Sequence, residues 1–237
     1  MGNSLKSEKM KAELITNVSH DIKTPLTSII NYVDLLKQEN IQNSKAEEYI
    51  EILDNKSQRL KKLTEDLVEA SKISTGNISL KLEKINVVEL IKQATGEFED
   101  KFKKHKLEVI VNSADDEINI MADSRYMYRI IENLYSNISK YALENSRVYI
   151  DVKRNGKKAF SDVQNLSIEI KNISKDRLNI SAEELMQRFV RGDKSRTTEG
   201  SGLGISIAQN LTELQNGKFE LTLDGDLFKV KMEFVEV

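Results

Sequence analysis

Two apolar stripes at helical spacing occupy the first third of this 237-residue chain and limit what it can fold into. The first stripe recurs in steps of three and four from Leu14 to Leu36, and the second runs from Ile50 to Ala70. This spacing predicts two amphipathic helices, joined by the polar stretch Glu39 to Ala46. Because two helices cannot enclose a core alone, we expect the hairpin to pair with a second copy as a dimeric four-helix bundle.

One histidine stands outside the first stripe, in a polar row of the same predicted helix. In the segment Ser19-His20-Asp21-Ile22-Lys23-Thr24-Pro25-Leu26, His20 and Thr24 are four positions apart and share a face. An exposed imidazole at this place could meet a reactive group presented by another domain, although an ordinary surface histidine is the alternative. Pro25 removes an intrahelical hydrogen bond and favours a bend just beyond His20.

The composition excludes several classes of function. The formal net charge is −2, so no basic field indicates that the chain binds nucleic acid. Cysteine is absent, which excludes disulfides, thiolate metal sites and cysteine nucleophiles. No apolar run approaches the ~20 residues needed to cross a bilayer, and no secretory signal precedes the first helix.

The periodicity changes at Ser74-Thr75-Gly76-Asn77, which we interpret as the boundary between two domains, residues 5–73 and 78–237. Beyond it the patterns predict strands over 78–82, 107–111, 118–121, 147–153, 166–172, 218–223 and 227–234, and helices over 87–102, 124–143 and 203–214. Asp123 is a suitable N-cap for the middle helix, and Asn155-Gly156 predicts that its flanking strands are antiparallel neighbours. This arrangement predicts an α+β class, with helices on one face of a mixed sheet.

One side of the helix predicted over 124–143 carries amide and lysine side chains. Asn133, Asn137 and Lys140 fall at positions i, i+4 and i+7. Amide oxygens are suitable ligands for Mg²⁺, which usually keeps several waters and binds substrate phosphates. Lys140 would add a positive charge for the same phosphates. Alone, such asparagines are more often solvated or capping residues.

Two further segments suit a phosphate ligand. The segment Gly200-Ser201-Gly202-Leu203-Gly204 directly precedes a predicted helix, so its backbone can approach phosphate oxygens and the helix offers unpaired N–H donors. It is not a Walker loop, because no strand leads directly into it and no Lys-Ser/Thr follows. The segment from Arg188 to Arg196 is polar around the anchor Phe189 and is typical of a lid, in which Arg191, Lys194 and Arg196 could meet phosphate charge. A solvated charged loop is the alternative for this second segment.

Together these motifs resemble the bacterial two-component sensor histidine kinases. The phosphoacceptor segment around His20, the asparagine helix, the lid with its aromatic residue and the glycine segment appear in the family's order, from about Leu5 to Val237. The resemblance implies a dimeric helical hairpin carrying the histidine, followed by an ATP-binding α/β sandwich shared with gyrase and Hsp90-type ATPases. It also implies ATP-dependent autophosphorylation of His20 and phosphoryl transfer to an aspartate of a separate response regulator.

The resemblance assigns roles to individual residues. Asp21 would hydrogen-bond the imidazole of His20 and accept its proton, and Thr24 would orient water for a reverse phosphatase reaction. Asn133 and Asn137 would hold Mg²⁺. The other residues expected to bind ATP, or to support the lid over it, are Lys140, Tyr141, Phe189, Arg191, Arg196, Gly200, Gly202, Leu203 and Gly204.

The chain departs from the family where the adenine base would bind. The family usually has an aspartate followed by glycines at the end of a strand, whereas here strand phase places Asn172 at that position, and Ile173-Ser174-Lys175-Asp176 follows without glycine. An amide oxygen can accept a hydrogen bond from the adenine amine, but without charge assistance, so we expect modest ATP affinity.

Two alternatives stay open on the sequence. The first is a catalytically weak or inactive dimeric signalling module, a pseudokinase or phosphatase with a degraded adenine site. The second is an ATP-driven conformational machine of the gyrase or Hsp90 type, which would leave the His20 segment unexplained.

The resemblance also sets an expectation for location. Most membrane-bound relatives carry a sensor upstream of the first helix, and residues 1–237 contain none. We therefore expect the chain to be the cytoplasmic region of a cell-membrane protein whose membrane-anchored sensor region is missing here.

Overall fold

The computed structural model describes residues 22–23, 25–39, 43–155, 165–186 and 202–237. These residues fall into two compact units. The first ends at Ile78 and also includes Gly202 and Leu203, and the second contains the other described residues from Ser79 onward. The first unit contains helix α1, residues 25–38, and helix α2, Ser44–Ser74. None of the helices in the described ranges is long and apolar enough to span a bilayer.

The first unit is a pair of helices with apolar side chains on more than one side. The Asn43 side chain caps α2 by accepting hydrogen bonds from the backbone N–H groups of Lys45 and Ala46, at 3.1 and 3.2 Å. An ion pair between Lys37 and Asp54 joins the two helices. Many large apolar side chains stay exposed, namely Ile29, Tyr32, Leu35, Leu36, Tyr49, Ile52, Leu53 and Leu60.

The second unit is built on a mixed five-stranded sheet, which confirms the predicted α+β class. Its elements in chain order are β1 (Glu83–Asn86), α3 (Val87–Glu97), α4 (Glu99–Lys104), β2 (Glu108–Ser113), β3 (Asn119–Ala122), α5 (Ser124–Tyr141), β4 (Arg147–Asn155), β5 (Asn165–Ile173), α6 (Ala182–Met186), α7 (Gly204–Leu214), β6 (Lys218–Asp224) and β7 (Leu227–Val235). The five strands are ordered β2-β4-β5-β7-β6, and β1 and β3 form a separate antiparallel pair. Strand β2 is parallel to β4, whereas β4 and β5 are antiparallel as predicted.

Two sequence predictions in this unit were wrong in detail. No strand forms over residues 78–82, because the backbone N–H of Lys81 donates to the carboxylate of Asp123 at 2.8 Å instead of joining a ladder. The strand begins later, at β1. The helix predicted over 87–102 is broken at Phe98. Phe98 and Phe102 both contact Tyr135, with ring centroids 5.6 and 5.5 Å away.

The two faces of the sheet differ because side chains alternate along each strand. On β5, Leu166, Ile168 and Ile170 are buried on the face that packs against the helices. Asn172 continues this series and therefore lies on the same face, at the end of the strand. The intervening residues Glu169 and Lys171 point to the opposite face.

A charged network covers the opposite face of the sheet. Asp151 accepts hydrogen bonds from Lys171 at 2.6 Å, Asn112 at 2.9 Å and Lys153 at 3.4 Å. Lys171 lies 3.5 Å from Glu169, the residue directly opposite Asp151 in the ladder. Burial raises the pKa of Asp151, but the hydrogen bonds from Lys171 and Asn112 and the nearby positive charges outweigh it, so the pKa falls to about 2.

Acid should remove the stability that Asp151 provides. Its folded-state pKa of about 2 lies below the ordinary value of 3.8, so its contribution is complete above that ordinary value and is lost as the pH falls toward 2. The shift corresponds to about 2 kcal/mol. In urea titrations, the difference in unfolding free energy between the wild type and Asp151→Asn should shrink by this amount between about pH 4.5 and about pH 2.

Asp224→Asn is the matched control, because Asp224 is an exposed carboxylate at the end of β6. Its difference from the wild type should change little over the same range. A wild-type advantage over Asp151→Asn that does not depend on pH would contradict the role given to the network.

Candidate functional site

Helix α5 carries the predicted asparagine face next to its core face. Asp123 caps this helix, since its carboxylate accepts from the backbone N–H of Arg125 at 3.1 Å, as the sequence predicts. Asn133 is 7% exposed, and Asn137, Lys140 and Tyr141 are half-buried on the same side. The helical period therefore brings together the four α5 residues assigned to the nucleotide.

The glycine segment ends at the start of helix α7. Gly202 adopts a left-handed backbone with φ +73°, which few other residues tolerate, and Leu203 leads directly into Gly204. A methyl group added at Gly204 would lie 3.5 Å from Oδ1 of Asn133. Asn133 thus faces the first residue of α7, where helical N–H groups have no partner within the helix.

A hydrogen bond joins the start of α5 to the end of α7. The backbone N–H of Asp123 donates to Oε1 of Gln215 at 2.8 Å, and both residues are buried. Gln215 directly follows α7, so the two helices run antiparallel. Its Nε2 donates in turn to the carbonyl of Leu211 at 3.0 Å, which fixes the orientation of the amide.

The end of β5 lies against the end of α5. An isolated bridge pairs Ala142 with Ser174, and the backbone N–H of Leu143 donates to the carbonyl of Ile173 at 2.8 Å. These contacts bring Asn172 to the end of α5 that carries Lys140. Asn172 is 4% exposed, and its Nδ2 donates to the carbonyl of Ile173 at 3.2 Å.

Lys175 lies beside the candidate site, at the end of α5, and sequence reasoning missed it. Its backbone N–H donates to the carbonyl of Tyr141 at 2.8 Å, and its Nζ donates to the carbonyl of Lys140 at 2.7 Å. The Nζ also lies 5.9 Å from the centre of the Tyr141 ring. A cation suits the negative end of a helix, so Lys175 caps α5. Its position in the segment where the family usually has glycines could have marked it in the sequence.

Two buried polar atoms of this site have no partner. Among the buried side-chain nitrogen and oxygen atoms of the described residues, Nδ2 of Asn133 and Oδ1 of Asn172 lack a hydrogen bond. Leaving such an atom unpaired costs on the order of 1–3 kcal/mol. Orphaned polar atoms of this kind need an explanation, and a ligand supplies one. Nδ2 of Asn133 is a donor and could bind a phosphate oxygen, whereas Oδ1 of Asn172 is an acceptor and could bind an amino group.

The remaining predicted site residues cannot be placed in this arrangement. They lie outside the described residues, and their roles stay predictions: His20, Asp21, Thr24, Phe189, Arg191, Arg196 and Gly200.

Two family patterns match the chain, over two separate stretches. Residues 10–76 match the His Kinase A (phospho-acceptor) domain, and residues 122–234 match the histidine kinase-, DNA gyrase B- and HSP90-like ATPase. The chain belongs to the sensor histidine kinases. The phospho-acceptor match includes position 20. It therefore argues against the alternative that the chain is an ATP-driven machine of the gyrase or Hsp90 type.

Curated relatives match nearly the whole length of this chain. The sensor protein VanS of Enterococcus faecium is 29% identical over 218 residues, which cover 90% of this chain and 54% of VanS. The histidine protein kinase SaeS of Staphylococcus aureus (strain USA300) is 30% identical, covering 95% of this chain and 64% of SaeS. The sensor histidine kinase WalK of Bacillus subtilis (strain 168) is 26% identical, covering 90% and 34%. The chain therefore spans between 34% and 64% of these relatives.

Solved structures of histidine kinases share the fold. Full-length ShkA in complex with AMPPNP has a TM-score of 0.76 at 18% identity, covering 95% of this chain and 46% of ShkA. ThkA in complex with the response regulator protein TrrA has a TM-score of 0.59 at 21% identity, covering 95% of this chain and 61% of that one.

The Asp123–Gln215 contact can be tested by stability. Gln215→Leu keeps a buried side chain of similar size but leaves the backbone N–H of Asp123 without its acceptor. We expect a loss of about 1–3 kcal/mol in unfolding free energy, measured by urea denaturation.

Gln209→Leu makes the same chemical change on α7, where the Gln209 amide contacts Glu213 on the exposed side of the helix. It should shift the unfolding free energy by no more than about 0.5 kcal/mol. Equal effects of the two substitutions would argue against a special role for Gln215.

Proposed function

We propose that the chain uses ATP to phosphorylate its own His20 and then transfers the phosphoryl group to an aspartate of a response regulator. The observation that carries this proposal is the pair of unpartnered buried atoms, Nδ2 of Asn133 and Oδ1 of Asn172. They belong to the two elements, α5 and β5, to which the family resemblance assigns the nucleotide. Membership of the sensor histidine kinases supports the same reaction.

The donor set of the site suits a magnesium nucleotide. Amide oxygens of Asn133 and Asn137 would hold Mg²⁺ together with phosphate oxygens and water. In the described part of the chain no group of three His, Cys, Asp or Glu side chains could hold a metal ion. Lys140 and the first N–H groups of α7 would bind the phosphates, and Oδ1 of Asn172 would accept from the adenine amino group.

The reaction needs positioning and charge neutralisation more than covalent assistance. A neutral imidazole nitrogen of His20 attacks the γ-phosphorus in line. The new N–P bond forms as the bond from phosphorus to the β–γ bridging oxygen breaks, and ADP leaves with that oxygen. Asp21 accepts the proton from the imidazole. Bound Mg²⁺ would neutralise charge on the β- and γ-phosphates.

Two partners follow from this proposal. The exposed apolar side chains of α1 and α2 would pack against those of a second copy to form the dimeric four-helix bundle. A response regulator receiver domain would then take the phosphoryl group, and the complex of the related kinase ThkA with TrrA supports this partner. We further propose that the chain is the cytoplasmic region of a membrane-anchored sensor.

Radiolabel transfer tests the phosphoacceptor. Incubation with γ-labelled ATP and Mg²⁺ should give an acid-labile, base-stable label on the wild type, as expected of phosphohistidine. His20→Ala should abolish it. The chain contains two histidines, so His105→Ala is the matched control and should keep the label.

Label that persists on His20→Ala would refute the assignment of His20. Nucleotide binding without any label on the wild type would instead favour the inactive signalling module.

Gly204→Ala tests the phosphate end of the site. The added methyl group would lie at an ordinary contact distance, 3.5 Å from Oδ1 of Asn133, so the fold should tolerate it. It would nevertheless occupy the space in which Asn133 and the start of α7 meet the phosphates. We expect the Kd for Mg-ATP to rise by at least about tenfold, measured by calorimetry, with an unfolding free energy within about 1 kcal/mol of the wild type.

Gly96→Ala is the control, because a methyl group at Gly96 in α3 meets nothing within 4 Å. It should leave the Kd unchanged and stabilise the helix by about 0.5–1 kcal/mol. If Gly204→Ala binds Mg-ATP as tightly as the wild type, the phosphates lie elsewhere.

A further inference from the structure

Helix α5 ends with two residues of the candidate site, Lys140 and Tyr141. The last carbonyl groups of a helix have no partner within it, so the final turn opens easily unless another group binds them. Lys175 binds both carbonyls. Its backbone N–H donates to the carbonyl of Tyr141 at 2.8 Å, and its Nζ donates to the carbonyl of Lys140 at 2.7 Å. One residue therefore holds the end of the helix from which both site side chains leave.

The Lys175 ammonium makes two of these contacts with one charge. Besides the carbonyl of Lys140, it lies 5.9 Å from the centre of the Tyr141 ring, on a helix end where a positive charge is favourable. Lys175 is exposed, so removing its charge should change the stability of the whole fold little. Its effect is local, because a helix end can open without the rest of the structure.

This local effect reaches the phosphates through Lys140. The carbonyl that Lys175 holds and the side chain assigned to the phosphates belong to the same residue, on the same face of α5 as Asn133 and Asn137. A long side chain on a fixed backbone loses less freedom on binding than one on a frayed helix end. Holding the last turn of α5 therefore favours the bound position of the Lys140 ammonium.

We propose that Lys175 is a positioning residue for ATP, which fixes the last turn of α5 and so places Lys140 for the phosphates. In this role Lys175 acts through Lys140 and does not itself bind the nucleotide. A cationic donor is required, so arginine can replace Lys175 whereas an uncharged side chain cannot. This inference rests on the proposed function and deepens it.

A double-mutant cycle on the full chain tests the proposal. The Kd for Mg-ATP would be measured by calorimetry for the wild type, Lys175→Met, Lys140→Met and the double variant. Lys175→Met keeps an unbranched side chain and the backbone N–H but removes the ammonium. It should raise the Kd by about fivefold, and Lys140→Met by at least about tenfold. The double variant should lie within about twofold of Lys140→Met, because Lys175 acts only through Lys140.

Three further measurements separate positioning from loss of charge or loss of fold. Lys218→Met removes the same charge from an exposed lysine at the start of β6 and should leave the Kd unchanged. Lys175→Arg should keep the Kd within about twofold of the wild type. Adenosine has no phosphates, so its Kd should differ by less than about twofold between Lys175→Met and the wild type. The midpoint of thermal denaturation should stay within about 2 °C in each single variant at positions 175 and 218.

Each result supports or overturns the positioning role. A double variant about fivefold weaker than Lys140→Met would show that Lys175 acts independently of Lys140, and the role would be refuted with the proposed function intact. An unchanged Kd for Mg-ATP in either single variant, or an equal loss of adenosine and ATP binding in Lys175→Met, would also overturn it. If the wild type does not bind Mg-ATP, the proposed function fails and this inference fails with it.

Discussion

The hydrogen bond between the backbone N–H of Asp123 and the amide of Gln215 sets the register of two antiparallel helices, and the site depends on that register. Asn133 follows Asp123 by ten residues along α5, and Gly204 precedes Gln215 by eleven along α7. At 1.5 Å per residue these stretches measure about 15 and about 16.5 Å. Because the two lengths agree, Asn133 and the start of α7 meet, which explains why a methyl group at Gly204 would lie 3.5 Å from the Asn133 oxygen.

A second set of hydrogen bonds, at the other end of α5, holds the end of β5 against this helix. The backbone bonds of Leu143 and Lys175, and the Nζ of Lys175 on the carbonyl of Lys140, hold Asn172 near the asparagine face. In this arrangement Nδ2 of Asn133 and Oδ1 of Asn172 are buried without a partner among the described residues. Their unpaired atoms cost on the order of 1–3 kcal/mol each, which the surrounding core offsets. A preformed site of this kind loses little freedom when a ligand supplies the missing partners.

The sequence predicted the parts of this arrangement that depend on periodicity. The helical period put Asn133, Asn137 and Lys140 on one face of α5, and the strand period put Asn172 on the inner face of β5. Periodicity reports which face a residue occupies but not which residue it touches. Asp123 and Gln215 are 92 positions apart, and nothing local marks them as partners. The strand predicted over 78–82 failed for the same reason, since Lys81 bonds a side chain 42 positions away.

The end of β5 is where the sequence departs from the expected family pattern, with Asn172 and then a segment without glycine. A segment rich in glycine has no side chains with which to fix itself, whereas here Lys175 holds α5 through its Nζ and the backbone N–H of Ser174 donates to the carbonyl of Asp226 at 2.8 Å. These bonds keep the Ile173 carbonyl beside the side chain at position 172. This carbonyl already accepts from the backbone N–H of Leu143, and the Asn172 amide adds a second donor, which an ionised aspartate would lack. Asn172 can therefore donate to this carbonyl while its Oδ1 stays without a partner among the described residues.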